Sequence, residues 1–166
     1  MSGDQKSSSM VKMTVRGLVV DPTSKMPVVI LQNPEGDAFL PIWIGVCEAN
    51  AIALQLEGIT PPRPLTHDLI LALIETTGNS IDHIFIHSLE EAVFIASIHL
   101  KESQGTTREV DSRPSDAIAI ALRADVDVFV EASVLDRAVV EEASSEEAIR
   151  AILERLRPED LGEYEM

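Results

Sequence analysis

Three short segments gather the side chains able to do chemistry. "SRPSDAIAIALR" (Ser112–Arg123) opens a helix and places Arg113, Ser115 and Asp116 around its first turn. The unpaired N–H groups and positive dipole end of such a turn favour an anion. Arg113 adds a planar donor fork suited to phosphate or carboxylate. "RPLTHDL" holds Arg63, Thr66, His67 and Asp68 at another helix start. A histidine beside an aspartate supplies a general base near neutral pH, or a metal ligand. Adjacent helix positions point about 100° apart, so His67 and Asp68 do not face one ion. Glu48 opens a third helix just after a strand, the place that Ser115 and Asp116 take in theirs. Each acid also has a plainer use, because Asp or Glu in a first turn satisfies the dipole unaided and Pro114 wastes no N–H there.

The elements that must position these residues are legible as changes of period. "MTVRGLVVD" (Met13–Asp21), "PVVILQN" and "AFLPIWIG" (Ala38–Gly45) are strand-like runs separated by the turns "DPTSK" and "NPEGD", which predicts an antiparallel meander. Pro41 marks its strand as an edge or a bulge. In "CEANAIALQLEG" the spacing of Ala49, Ile52, Ala53 and Leu56 predicts a helix ending at Gly58. The loop "ITPPRPLT" leads to a helix from Thr66, its expected cap, to Gly78, with an apolar stripe of Leu69, Ala72, Leu73 and Thr76. "SIDHIFIHSLEE" and "AVFIASIHLKE" predict a hairpin turning at Glu90–Glu91, followed by a short run "REVDS" and the helix from Pro114 to about Ala124. "VDVFVEASVLD" returns to strand character.

Three strands and an alanine-rich helix over 14–58 are thus followed by the same succession over 81–124. That points to a duplicated β-β-β-α unit joined by the helix after Thr66, in an α+β fold with a mainly antiparallel sheet and flanking helices. Residues 1–10 read as a disordered leader, 11–136 as the domain and 137–166 as an acidic helical tail. In the tail, Ser144 and Glu147 have capping-box spacing, Ile149, Ile152, Leu153 and Leu156 make a narrow stripe, and Pro158 ends the helix.

The chain has 166 residues, 45% apolar, with 13 basic and 28 acidic side chains. A net charge of −15 argues against a broad surface that coats nucleic acid by neutralising phosphates. Residues 131–166, however, hold 11 of the acids, so a local basic cleft on the main domain stays compatible with the composition. No apolar run reaches the roughly 18 residues of a membrane span, and the single cysteine, Cys47, fits a reducing cytoplasm. Cys47 itself reads as a buried small residue. His83, His87 and His99 read as ordinary strand histidines, the first two sharing a face with Phe85. No glycine-rich phosphate loop, GxSxG elbow, HExxH or paired CxxC is present. Trp43 and Phe39 are too few for a stacking platform.

Taken in order, "GLVVDPTSKMPVVIL", "LPIWIGVCEANAIALQLEG", "RPLTHDLI" and "SRPSDAIAIALR" resemble the bifunctional nuclease family of bacteria and plants, over about Val11 to Asp136. The resemblance implies hydrolysis of phosphodiester bonds in DNA or RNA bound in a local cleft, and a homodimer. Carried onto the matching motifs, it directs attention to Glu48, Arg63, His67, Asp68, Arg113, Ser115 and Asp116. The expectation built on it has Glu48, Asp68 and Asp116 holding Mg²⁺ or Mn²⁺, Arg63, Arg113 and Ser115 binding the substrate, and Glu48, His67 and Asp116 acting in catalysis. The competing expectation is a non-catalytic oligomeric adaptor or small-anion sensor, which the net charge favours.

Overall fold

Alternation along the first strand sets the architecture. In the computed structural model, which describes residues 9–142, β1 (Met10–Val20) buries Met13 and Gly17 between exposed or half-buried neighbours. It then works in two halves. Met10–Met13 pairs with β7 (Asp127–Glu131), and Thr14–Val20 pairs with β2 (Pro27–Gln32), with an irregularity at Arg16 where the register shifts. β3 (Phe39–Trp43) completes the first meander. β4 (Ser80–Glu90), β5 (Val93–Lys101) and β6 (Thr107–Ser112) form a second. The sheet order is β3-β2-β1-β7-β4-β5-β6, antiparallel except where β4 runs parallel to β7. The expected α+β fold with a mainly antiparallel sheet is therefore what forms. Each meander is followed by a helix, so the strand–strand–strand–helix order recurs as read from the sequence. The order alone does not establish a duplication.

Among the described residues four helices supply the other layer: α1 (Val46–Leu56), α2 (Thr66–Thr76), α3 (Pro114–Ala124) and α4 (Ala132–Glu142). One principal core cluster joins Val29, Leu31, Leu40 and Ile42 of the first meander to Ile84, Ile86 and Ile98 of the second. Ile52 of α1 and Ile118 and Ile120 of α3 fill it from the helical side. Each of these side chains contributes about 1.5–3 kcal/mol by leaving water. Ala117, Ala119 and Ala121 of α3 are buried and Ala124 at its end is partly so, which makes α3 the central helix. Close approach to its neighbours needs those small side chains.

Several expectations change in three dimensions. β1 begins at Met10, not Met13, and Ser9 already accepts a hydrogen bond from Ala132 N–H at 2.8 Å. The strand expected over "VDVFVEASVLD" stops at Glu131, and α4 takes over from Ala132, running through the expected boundary at 136. Val134 and Ala138 of α4 join the core, a helical spacing hidden behind β-branched neighbours. On α1, Leu56 is exposed and Ala51 and Leu54 are buried instead. On α2, Leu69 and Leu73 are exposed, and Ile70, Leu71 and Ile74 pack on the core. Both apolar faces of α2 have helical spacing, and packing on α3 chose between them. The β4–β5 turn is the residue pair Glu91–Ala92, both with positive φ. The tail positions Ser144, Glu147, Ile149, Ile152, Leu153, Leu156 and Pro158 lie outside the described residues.

Pro41 sits where its missing N–H costs nothing. β3 is a sheet edge, and Ile44 N–H donates to Pro27 C=O at 3.0 Å, so alternate residues 40, 42 and 44 face β2. Pro41 and Trp43 turn their main-chain groups to the side that no strand of the described residues pairs with. Trp43 is further held by its indole N–H, which donates to Asp21 Oδ2 at 3.0 Å.

Candidate functional site

The first turn of α3 faces the first turns of α1 and α2 across an open pocket of about 1020 Å³. Glu48 of α1, His67 of α2, Arg113 at the N-cap of α3 and Asp116 in its first turn all line it, with Cys47, Asn50 and Ser112 among their neighbours. Cys47 is exposed here, against the expectation of burial.

Asp116 is the hub. Its Oδ1 lies 2.9 Å from His67 Nε2, and its Oδ2 accepts a hydrogen bond from Arg113 Nε at 2.7 Å. Burial works to raise the Asp116 pKa, but the hydrogen bonds and charges of Arg113 and His67 outweigh it and hold the carboxyl below its ordinary value. An ionised carboxylate only accepts. His67 Nε2 therefore carries the hydrogen and donates it to Asp116, which fixes the tautomer and leaves Nδ1 as the basic nitrogen. Nδ1 has no protein partner among the described residues and is not sealed from solvent. His67 is largely buried, so its ring has little freedom to leave this arrangement.

Arg113 joins the two carboxylates. Its Nη1 lies 2.9 Å from Glu48 Oε1 while Nε serves Asp116. The hydrogen bond to Asp116 and both negative charges raise the Arg113 pKa above its already high value. Its side chain is still 65% exposed, and Nη2 has no partner among the described residues. Neither Glu48 nor Asp116 makes a side-chain capping bond, but both stand in first turns where they satisfy the helix dipole, and Asp116 pairs with Arg113 as the plainer reading also has it. Glu48 also folds back over Gly45, where an added Cβ would collide with Oε2. Gly45 is thus part of the site, a role with no signal in the sequence beyond a glycine before a helix.

Three predicted site residues sit elsewhere. Asp68 points away from the pocket: Oδ2 accepts from Leu65 N–H at 2.8 Å, and Oδ1 accepts from Arg123 Nε at 2.6 Å. It caps α2 from within the first turn, the task expected of Thr66. Arg123, whose side chain is 3% exposed, is the partner that sequence reasoning missed, since 55 positions separate the two residues. Ser115 is buried and lines a second, smaller cavity. Arg63 is exposed in the loop before α2 and does not line the main pocket.

This arrangement does not fit a divalent cation held by Glu48, Asp68 and Asp116. Asp68 is engaged on the α2–α3 side, and a guanidinium occupies the position between the other two carboxylates. No group of three His, Cys, Asp or Glu residues suited to a metal gathers among the described residues. Mg²⁺ and Mn²⁺ need several oxygens converging on one point.

The bifunctional nuclease domain matches residues 29–143, which include every member of the cluster. The chain belongs to the bifunctional nuclease domain family. Two uncharacterised proteins, from two strains of Mycobacterium tuberculosis, are each 43% identical over 147 residues, covering 87% of this chain and 87% of their own. Bifunctional nuclease 2 of Oryza sativa subsp. japonica is 23% identical over 133 residues, 78% of this chain and 41% of the rice protein. Bifunctional nuclease 1 of Oryza sativa subsp. indica is 25% identical over 130 residues, 76% of this chain and 39% of its own. This bifunctional nuclease domain thus spans less than half of its rice relatives. Among its described residues no helix is long and apolar enough to cross a membrane.

Proposed function

We propose that this domain is a nuclease that hydrolyses phosphodiester bonds in DNA or RNA, with the reacting phosphate on Arg113. His67 Nδ1 takes a proton from the attacking water as its oxygen bonds to phosphorus, and returns that proton to the leaving sugar oxygen as the P–O ester bond breaks. Asp116 keeps that ring in the right tautomer and balances the charge that forms on it. Arg113 offers its free N–H groups to the phosphate oxygens, and Glu48 and Asp116 hold the guanidinium in place. In this reading His67 and Arg113 touch the substrate, and Glu48 and Asp116 are positioning residues. Arg63 lies near enough in the chain to the pocket rim to meet the polynucleotide backbone. Ser115 has no direct part.

The observation that carries the reading is the shared carboxylate of Asp116, which couples a base to a phosphate-binding cation at one pocket wall. Membership of the family and the names of the rice relatives support it. The test is cleavage of labelled RNA and DNA oligonucleotides by wild type, His67→Ala, Asp116→Asn and Arg113→Ala, with and without chelator. Equal residual cleavage in all four proteins assigns the activity to a contaminant and ends the proposal.

We also infer a cytoplasmic homodimer. Leu65, at the N-cap of α2, and Leu69 and Leu73 on its outer face are 38%, 53% and 58% exposed, and a second copy would shield them from water. Light scattering after size exclusion should give twice the chain mass, and Leu69→Glu with Leu73→Glu should give a monomer. A dimer unaffected by that double change removes α2 as its interface.

A further inference from the structure

The Glu48–Arg113 pair has two sides. One faces the main pocket. The other faces a cavity of about 350 Å³, lined by the end of β3 at Trp43, the β4–β5 hairpin at Val93 and Phe94, and the start of α3 at Pro114. Glu48 and Arg113 line both spaces, so a molecule bound through Arg113 in one is in direct reach of the other. The chemistry of the two differs. Beyond the shared pair, the small cavity offers the apolar surfaces of Ile42, Val93, Phe94 and Pro114. Its polar residues include Ser115, which is buried, and Trp43, whose N–H and C=O the alternation of β3 turns away from β2. A donor and an acceptor a few ångströms apart, between apolar walls and beside a guanidinium, suit a flat heteroaromatic ring that carries an acceptor and a donor on one edge. An extended peptide fits less well, because Pro41 supplies no N–H two residues along and a strand added here would lose its ladder at once. The volume is within the range of small-molecule sites.

We propose that this cavity is a nucleobase subsite, holding the base of the nucleotide whose phosphate lies on Arg113. The inference rests on the nuclease reading for the placement of the phosphate. Main-chain recognition at Trp43, with Phe94 and Val93 against the ring, gives strand binding without a row of exposed aromatics. It also orients the phosphate before His67.

Trp43 is the chain's one tryptophan, so its emission reports on this cavity. The intact protein is titrated by calorimetry with adenosine 5′-monophosphate, ribose 5-phosphate and inorganic phosphate, and Trp43 emission, excited at the red edge of absorption, is followed in parallel. The nucleotide should bind at least about tenfold more tightly than ribose 5-phosphate and shift the emission. Val93→Tyr, which fills the cavity from an exposed position, should remove that preference and leave phosphate binding unchanged. In oligonucleotide cleavage the same variant should raise KM about tenfold with kcat within about threefold. Equal affinity for the nucleotide and ribose 5-phosphate, binding silent at Trp43, or an unchanged Val93→Tyr overturns the subsite. Cleavage by wild type alongside any of these leaves the nuclease reading standing. Base-dependent binding without cleavage by wild type ends that reading and keeps the subsite.

Discussion

His67 and Asp116, separated by 49 positions in the chain, meet at 2.9 Å with the histidine donating. Their helices begin in different parts of the sequence, α2 after a proline-rich loop and α3 after β6, and core packing brings the two first turns together. The pair converts an ordinary imidazole into one with a fixed basic nitrogen, next to a cation held by the same carboxylate.

If that pair acts as a unit, its members are not additive. Asp116→Asn and His67→Ala should each lower kcat by about 100-fold or more, within the range for positioned acid–base groups. The double variant should be little worse than either single one. Melting temperatures of all three within a few degrees of wild type would show that folding is not the cause. A double variant whose loss is the product of the two singles would mean that the residues act separately.

Gly45 makes a subtler expectation. Gly45→Ala should push Glu48 off Arg113, raising KM for oligonucleotide more than it lowers kcat, since Arg113 loses one of its two anchors while His67 keeps its partner. Glu48→Gln should act in the same direction and more weakly. If Gly45→Ala has wild-type kinetics, the Glu48–Arg113 contact is not needed in solution.

Chelation is expected to matter little. The guanidinium of Arg113 stands between the carboxylates where an ion would have to be, so cleavage after exhaustive treatment with EDTA should stay within about twofold of the untreated enzyme. Complete loss, restored by Mg²⁺ or Mn²⁺, would require Arg113 to swing away and would replace this account of the site.

Arg123 and Asp68 form a partner-dependent pair against buried surroundings. Removing one member leaves the other charge uncompensated, so Arg123→Met alone should cost about 3 kcal/mol or more. Arg123→Met with Asp68→Asn should recover part of that loss. Burial pushes the Asp68 pKa up, but the Leu65 N–H and Arg123 more than offset it, and the result is a lowered value. Stability from this pair is therefore present above the ordinary aspartate range and is lost as pH falls through the folded-state pKa. Denaturant unfolding from neutral to acid pH checks both statements, and a single variant as stable as wild type would show the pair to be idle.

On the sheet face away from the core, the rings of His83 and His99 stack with centroids 4.2 Å apart. Burial, and next the proximity of His83, lowers the His99 pKa, while Glu109 and Asp82 work the other way. The unfolded chain then takes up the proton more readily than the folded one, so stability is whole above the ordinary histidine range, about 6.5. It should fall as the solution is acidified below that range. His99→Phe keeps the stack and should flatten the fall. An equally steep dependence in that variant would trace it to other groups.

The elements of this fold were open to local reading because period and punctuation are local. Alternation gave the two meanders, Pro41 marked an edge, and alanine spacing gave α1 and α3. Where two solutions had equal local merit, the sequence was ambiguous. Both faces of α2 are apolar at helical spacing, and Ala132–Glu142 carries β-branched residues in a helix, so packing against α3, β4 and β7 had to choose. The site divides in the same way. Residue types and their places at helix starts were enough to nominate Glu48, His67, Arg113 and Asp116. Whether a charged group faces a pocket or a partner is a matter of distance, and distance comes only with folding. The burial of Arg123 takes Asp68 out of the cluster, Arg113 enters between two carboxylates, and the pairing of β3 leaves the main chain of Trp43 on the side away from β2. Local physics dictates which groups a chain can offer, and long-range packing decides which of them meet.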